Sequence, residues 1–224
     1  MEPELRIWAE KLVDLALAED LGLGDLTTDI LIPEDLQGKG VIVAKAEGVI
    51  AGLEIAEMVF RKVDSSLAFK PLLSDGAKVL PGARIAEIEG RIASILKAER
   101  TALNFLQHLS GVATLTARYA EKLRGTKTKL LDTRKTTPGL RILEKYAVRV
   151  GGGLNHRRSL GDGILIKDNH IFVLKSLGLS LREIVELARR NAPPLLRVEI
   201  EIQNLEDVFE ALEAGADLIM LDNI

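Results

Sequence analysis

The sequence has no cysteine. That excludes disulfides, thiolate nucleophiles and cysteine metal sites, and it points to a reducing, cytoplasmic setting. Histidine is almost as scarce, with three residues in 224, so a zinc enzyme is not expected. There is no excess of positive charge: the formal net charge is −3. No global field therefore recruits nucleic acid or an anionic membrane, and any anion site must be a local gathering of cations. No apolar run approaches the roughly 20 residues of a membrane span. The stretch Met1–Asp20 lacks the basic start and apolar core of a secretory leader. Gly-x-Gly-x-x-Gly and Walker loops are also missing, which leaves dinucleotide and nucleotide hydrolase sites unsupported. What remains is an ordinary globular composition, 47% hydrophobic and 28% charged, long enough for one large domain or two modest ones.

The pattern changes near residue 100. Before it, Leu5, Trp8, Leu12 and Leu15 recur at helical spacing, and Gly22 and Gly24 close that helix. Short β-like runs follow at 40–44, 48–52 and 84–90, with turn chemistry across 74–82 and a helix near 52–62. This half reads as a small α+β domain, residues 1–100. From Ile95 to Leu123 the sequence is helical, with Ala102, Leu106, Leu109, Val112, Leu115 and Tyr119 as its apolar positions. Strand-like runs then alternate with helices: 129–133, 163–166, 196–202 and 217–221. The stripes between them are Leu140/Leu143/Ala147/Val150, Leu181/Ile184/Val185/Ala188 and Leu205/Val208/Phe209/Leu212, the last stopped by Gly215. Alternation of this kind predicts a parallel sheet or barrel over 101–224.

Each of the four strand candidates leads into charge. The first reaches Arg134 and Lys135, the second Lys167, the third Glu201 and the fourth Asp222. In parallel β/α folds the carboxyl ends of strands converge on the active face. Grouped with His156 and Arg157, these cations suit a ligand bearing phosphate or several carboxylates. Two carboxylates beside them suggest Mg²⁺ held partly by substrate oxygens. Two plainer readings stand beside this one: strands ending at solvent, and an internal salt-bridge network. The loop Gly151-Gly152-Gly153 carries little weight alone, since triple glycine commonly marks a flexible turn. His108 reads as a packing or surface histidine, and His170 is ambiguous. The turn at 75–82 is similar to lipoyl- and biotin-carrier domains, without a Met-Lys-Met-like attachment turn.

The strings at 98–106, 132–141, 145–148, 151–157, 166–170, 198–201 and 221–223 resemble, in order, the quinolinate phosphoribosyltransferase family. The resemblance implies an α/β protein with an N-terminal α/β sandwich followed by an incomplete, open α/β barrel. It implies reaction of quinolinate with phosphoribosyl pyrophosphate and Mg²⁺ to give nicotinate mononucleotide, pyrophosphate and CO₂. It further implies a homodimer or higher oligomer. By the same resemblance, Thr133, Arg134, His156 and Arg157 hold quinolinate, and Arg100 reaches in from a partner subunit. Lys135 and Lys167 meet phosphoribosyl pyrophosphate and the reacting ring; Glu201 and Asp222 serve the ribose and Mg²⁺. Lys135, Lys167, Glu201 and Asp222 are thus the expected catalytic set. The family continues with further barrel strands and phosphate-binding loops. The expectation is therefore a chain truncated relative to the family, and poorly active alone. The nearest alternatives are the phosphoribosyltransferase-like protein found with molybdate transporters and a nicotinate phosphoribosyltransferase.

Overall fold

Helix α1 (Pro3–Leu21) forms where the spacing predicts it, in a computed structural model that describes residues Met1–Ile224. Its buried line differs from the expected one. Leu5, Ala9 and Val13 face the core at i, i+4, i+8, whereas Trp8 and Leu15 stay exposed. The small Ala9 lets α1 pack closely on its neighbours, and the larger side chains turn outward.

Packing divides the chain into two units, Met1–His156 and Arg157–Ile224. In the first, the short helix α2 (Leu26–Leu31) was not foreseen; Asp25 caps it by accepting from the Thr28 N–H. Strands β1 (Gln37–Val43), β3 (Ala68–Pro71) and β5 (Arg84–Arg91) make an antiparallel sheet in the order β1-β5-β3. Two short strands, β2 (Gly48–Val49) and β4 (Lys78–Val79), pair separately. Helix α3 (Leu53–Val63) buries Leu53, Ile55, Ala56, Val59 and Phe60. Its first N–H groups find a partner in Asp75, whose carboxylate accepts from Gly52 N at 2.8 Å and Leu53 N at 3.1 Å. Tyr146 donates its hydroxyl to the same carboxylate, and burial followed by this contact pushes the phenol well above its ordinary value.

The long helix α4 (Ile92–Lys122) runs unbroken through the division drawn from sequence at 100 and 101. Its buried line begins as expected, with Ile95, Ala102, Leu106 and Leu109, then continues through Ala113 and Thr116. Leu115 and Tyr119, expected inside, are exposed. Ser110 and Thr114 on α4 accept from Ala51 N and Val49 N, at 3.0 and 2.8 Å, and so satisfy edge groups near β2. Helix α5 (Arg141–Val150) buries Leu143 and Ala147 as predicted, and also Glu144 and Lys145.

The second unit holds strands β6 (Ile164–Ile166), β7 (Val198–Ile202) and β8 (Leu218–Leu221), all parallel, in that order. Three strands form the sheet where four were expected, and it does not close. The run at 129–133 is not a strand; it makes a single parallel bridge, Leu131 to Leu154, within the first unit. Only Leu130 and Leu131 are apolar there, and Leu131 is exposed, so no buried ladder can grow. Helix α6 (Asp168–Ser176) was not foreseen, having no buried residue to set a stripe. Helices α7 (Leu181–Asn191) and α8 (Leu205–Glu213) were, though α8 buries Ala211 and leaves Phe209 and Leu212 exposed. Leu181, Ile184 and Val185 of α7 pack with Ala211 of α8 against Ile166, Val198, Ile200 and Ile202.

Candidate active site

Strand register places the polar groups of the second unit. Neighbours Ile166/Ile200 and Ile200/Ile219 lie on the side turned to the helices. Side chains alternate along a strand, so the intervening residues share the opposite face. Leu165, Glu199 and Leu218 come first, then Glu201 and Met220; Lys167 directly follows β6, and Asp222 directly follows β8, its N–H donating to the Ile202 carbonyl at 2.9 Å. Lys167 Nζ stands 3.4 Å from Glu201 Oε2, with the carboxylate 10% exposed and the lysine side chain 44%. Asp222 Oδ2 accepts from Gln203 Nε2 at 3.4 Å and from Asn223 Nδ2 at 3.0 Å. Asn223 takes a positive φ of 55°, which ends the extended run. Lys167 and Glu201 are therefore brought together, and Asp222 follows the neighbouring strand. His170 closes the first turn of α6, its Nδ1 accepting from the Lys167 N–H at 2.9 Å.

The other predicted residues fall in two places. Arg157 belongs to the second unit, where its guanidinium donates to the Gly163 carbonyl at 3.0 Å. In the first unit, Arg100 is exposed on α4. Thr133, Arg134 and Lys135 lie on an irregular segment and not at a strand end. The Thr133 hydroxyl accepts from the Lys135 N–H at 3.0 Å, and Arg134 Nε is buried without a hydrogen-bond partner. His156 is part-buried; its N–H donates to Asp132 Oδ1 at 2.8 Å and its carbonyl accepts from Lys145 Nζ at 3.1 Å.

Asp132, Lys145 and Asn155 are the residues that sequence reasoning passed over. All three lie in strings already singled out for their family resemblance, yet their partners are remote in sequence. Only a lysine beside the buried stripe of α5 hinted at a paired charge. Glu144 is similar: it accepts from the Thr137 N–H at 3.1 Å and meets His108 Nε2 at 2.9 Å. Burial raises its carboxyl, but the bonds from Thr137 and His108 outweigh that and hold it below the usual range.

Glu201 and Asp222 are carboxylates on neighbouring strands, the ligand type that Mg²⁺ takes one or two of while phosphate oxygens and water complete its shell.

The chain is a mixed α/β protein with a parallel sheet, a class in which ligands bind beyond the carboxyl ends of the strands. Residues 25–110 match the N-terminal domain of quinolinate phosphoribosyl transferase, and residues 112–224 match its C-terminal domain. The chain belongs to that family. It is 43% identical over 211 residues to the nicotinate-nucleotide pyrophosphorylase (carboxylating) of Mycobacterium leprae, spanning 93% of this chain and 72% of that protein. It is 40% identical over 222 residues to a mitochondrial quinolinate phosphoribosyltransferase (decarboxylating) of Nicotiana glauca, spanning 96% of this chain and 62% of the relative. The solved nicotinate-nucleotide pyrophosphorylase of Francisella tularensis superposes with a TM-score of 0.89 at 41% identity, over 97% of this chain and 75% of that one.

Proposed function

We propose that this chain carries out its family's reaction on residues assigned as follows. The activity is transfer of phosphoribosyl from phosphoribosyl pyrophosphate to quinolinate with decarboxylation, a pentosyl transfer in de novo NAD synthesis. Quinolinate carries two negative charges near neutral pH and needs compensating cations in any pocket that desolvates it. Arg134, His156 and Arg157, with Thr133, bind its carboxylates, and Arg100 joins them from a second copy in a homodimer. Lys135 and Lys167 neutralise phosphoribosyl pyrophosphate and steady the reacting ring.

As the bond from the ribose C1 to pyrophosphate breaks, positive character develops at C1. Glu201 and Asp222 stabilise it while orienting the ribose. The ring nitrogen forms the new bond to C1. Loss of the adjacent carboxylate as CO₂ then leaves an electron pair that the ribosylated ring stabilises and a proton quenches. The substrate supplies its own electron sink, so the protein's part is to position and neutralise. Glu201 and Asp222 would hold Mg²⁺, which when bound takes up charge on the pyrophosphate.

The observation that supports this reading best is the approach of Lys167 Nζ to Glu201 Oε2 at 3.4 Å, with Asp222 following the neighbouring strand β8. We also read those strands as part of an open α/β barrel, residues 101–224, after a sandwich domain over 1–100. The two matched family regions, which meet between residues 110 and 112, support a division within α4. No helix is long and apolar enough to cross a membrane. The cytoplasm is the compartment we assign, on the absence of cysteine.

A pair of substitutions tests the division of roles. Arg134→Ala is expected to raise KM for quinolinate at least about tenfold, with a small effect on KM for phosphoribosyl pyrophosphate. Glu201→Ala is expected to act chiefly on use of phosphoribosyl pyrophosphate. Steady-state kinetics that show the same effect of both changes on both substrates would contradict the assignment.

A further inference from the structure

Lys145 is 2% exposed and Asp132 is deeply set, its side chain only 8% exposed, yet neither is in the proposed chemistry. Lys145 Nζ meets Asp132 Oδ1 at 2.5 Å and the His156 carbonyl at 3.1 Å. Asp132 Oδ1 also accepts the His156 N–H at 2.8 Å, and Oδ2 accepts Asn155 Nδ2 at 2.7 Å. Asn155 Nδ2 returns to the Lys145 carbonyl at 2.9 Å. Backbone bonds run alongside: Leu154 N to Leu130 O at 2.8 Å and Asp132 N to Leu154 O at 3.1 Å. One carboxylate thus fastens three pieces of chain: helix α5, the segment entering Thr133-Arg134-Lys135, and the segment ending at His156.

Stability alone is a weak reason for such an arrangement. A buried ion pair is often no better than a well-packed apolar pair of the same volume, while loss of one partner is strongly destabilising. What a salt bridge with directed hydrogen bonds adds is a fixed relation between the segments it joins. We propose that Asp132, Lys145 and Asn155 are positioning residues that set the spacing of Arg134 from His156, and so the fit to a planar dicarboxylate. The proposal rests on the reading that these two residues bind quinolinate. None of the three touches the substrate. They act through the segments they fasten, where a small displacement of the binding groups is enough to lose much of their effect.

The test compares wild-type protein with Asp132→Asn/Lys145→Met and with Asn155→Ala. In the double variant no unpaired charge remains, and the amide oxygen can still accept the His156 N–H. Folding is followed by thermal unfolding, quinolinate binding by calorimetry, and both KM values and kcat by steady-state kinetics. The expected result is a folded double variant whose quinolinate KM and Kd rise about tenfold, with a smaller rise in KM for phosphoribosyl pyrophosphate through Lys135 on the same segment. Asn155→Ala, which keeps the ion pair, is expected to raise quinolinate KM about threefold. It supplies the answer if the double variant does not fold. Wild-type quinolinate affinity in a folded variant overturns the proposal, as does an equal loss for both substrates. A wild-type protein that binds no quinolinate sinks the functional reading and this proposal with it. One that binds quinolinate without turnover sinks the catalytic reading alone, and the binding comparison still decides the positioning role.

Discussion

Asp64, just past the end of α3, gathers four side-chain and main-chain donors on two oxygens. Ser66 supplies its N–H at 3.0 Å and hydroxyl at 2.6 Å, Ser94 its hydroxyl at 2.7 Å, and Arg91 its Nε at 2.9 Å. The bonds from Ser66 and then Ser94 hold the carboxyl far below its ordinary value, against the opposing effect of burial. The folded pKa lies below the unfolded one, so the stabilisation is complete above the ordinary carboxylate range near about 4 and fades as pH falls through the folded value. Asp64→Asn is expected to lower stability by about 2 kcal/mol at neutral pH. The gap in thermal midpoint between variant and wild type should narrow as pH drops below about 4; a gap that stays constant into acid would contradict this. At the same scale, Lys167, Glu201 and Asp222 could be singled out in the sequence because each follows a strand-like run rich in apolar residues. Asp132, Lys145 and Asn155 were not, because their meaning lies in partners 10 to 24 residues away on other segments.

Helices and strands were legible wherever hydropathy had a period to follow. α3, α5, α7, β5 and β7 form close to the expected places, and α6 was missed for want of a buried stripe. The faces of α1, α4 and α8 were read less well, for one physical reason. Their buried lines run through Ala9, Ala113 and Ala211, while Trp8, Leu115 and Phe209 are exposed. Close helix packing selects small residues at the contact, whereas a hydropathy pattern weights the large ones. The glycine loop shows the same effect. A Cβ on Gly151 would collide with the Ala113 carbonyl oxygen and with Thr116, and one on Gly153 would press on Val148 and Thr116. These glycines admit α4 to close contact with the end of α5, a packing role that the plainer reading of a flexible turn did not include. Gly151→Ala is expected to destabilise the protein by about 2 kcal/mol through overpacking. Urea denaturation measures it, and an unchanged midpoint at unchanged slope would show that the contact yields without strain.

At the scale of the whole molecule, the charge balance and the missing cysteines excluded much, but they named no reaction. The reaction came from ordered motifs, and the family match extends over both halves of the chain. The chain spans 72% of the Mycobacterium leprae relative. Expectations drawn from sequence pattern were weakest where tertiary contact decides. The strand expected at 129–133 became a tethered loop, since a lone apolar pair cannot hold a ladder and Asp132 found its partners elsewhere. The central claim is that quinolinate is the acceptor and leaves as its decarboxylated nucleotide. Its most direct test is simultaneous measurement of CO₂ from carboxyl-labelled quinolinate and of pyrophosphate, with phosphoribosyl pyrophosphate and Mg²⁺ present. The account predicts the two products in equal amounts, both dependent on quinolinate. Pyrophosphate release with nicotinate as acceptor, and no labelled CO₂ from quinolinate, would contradict it.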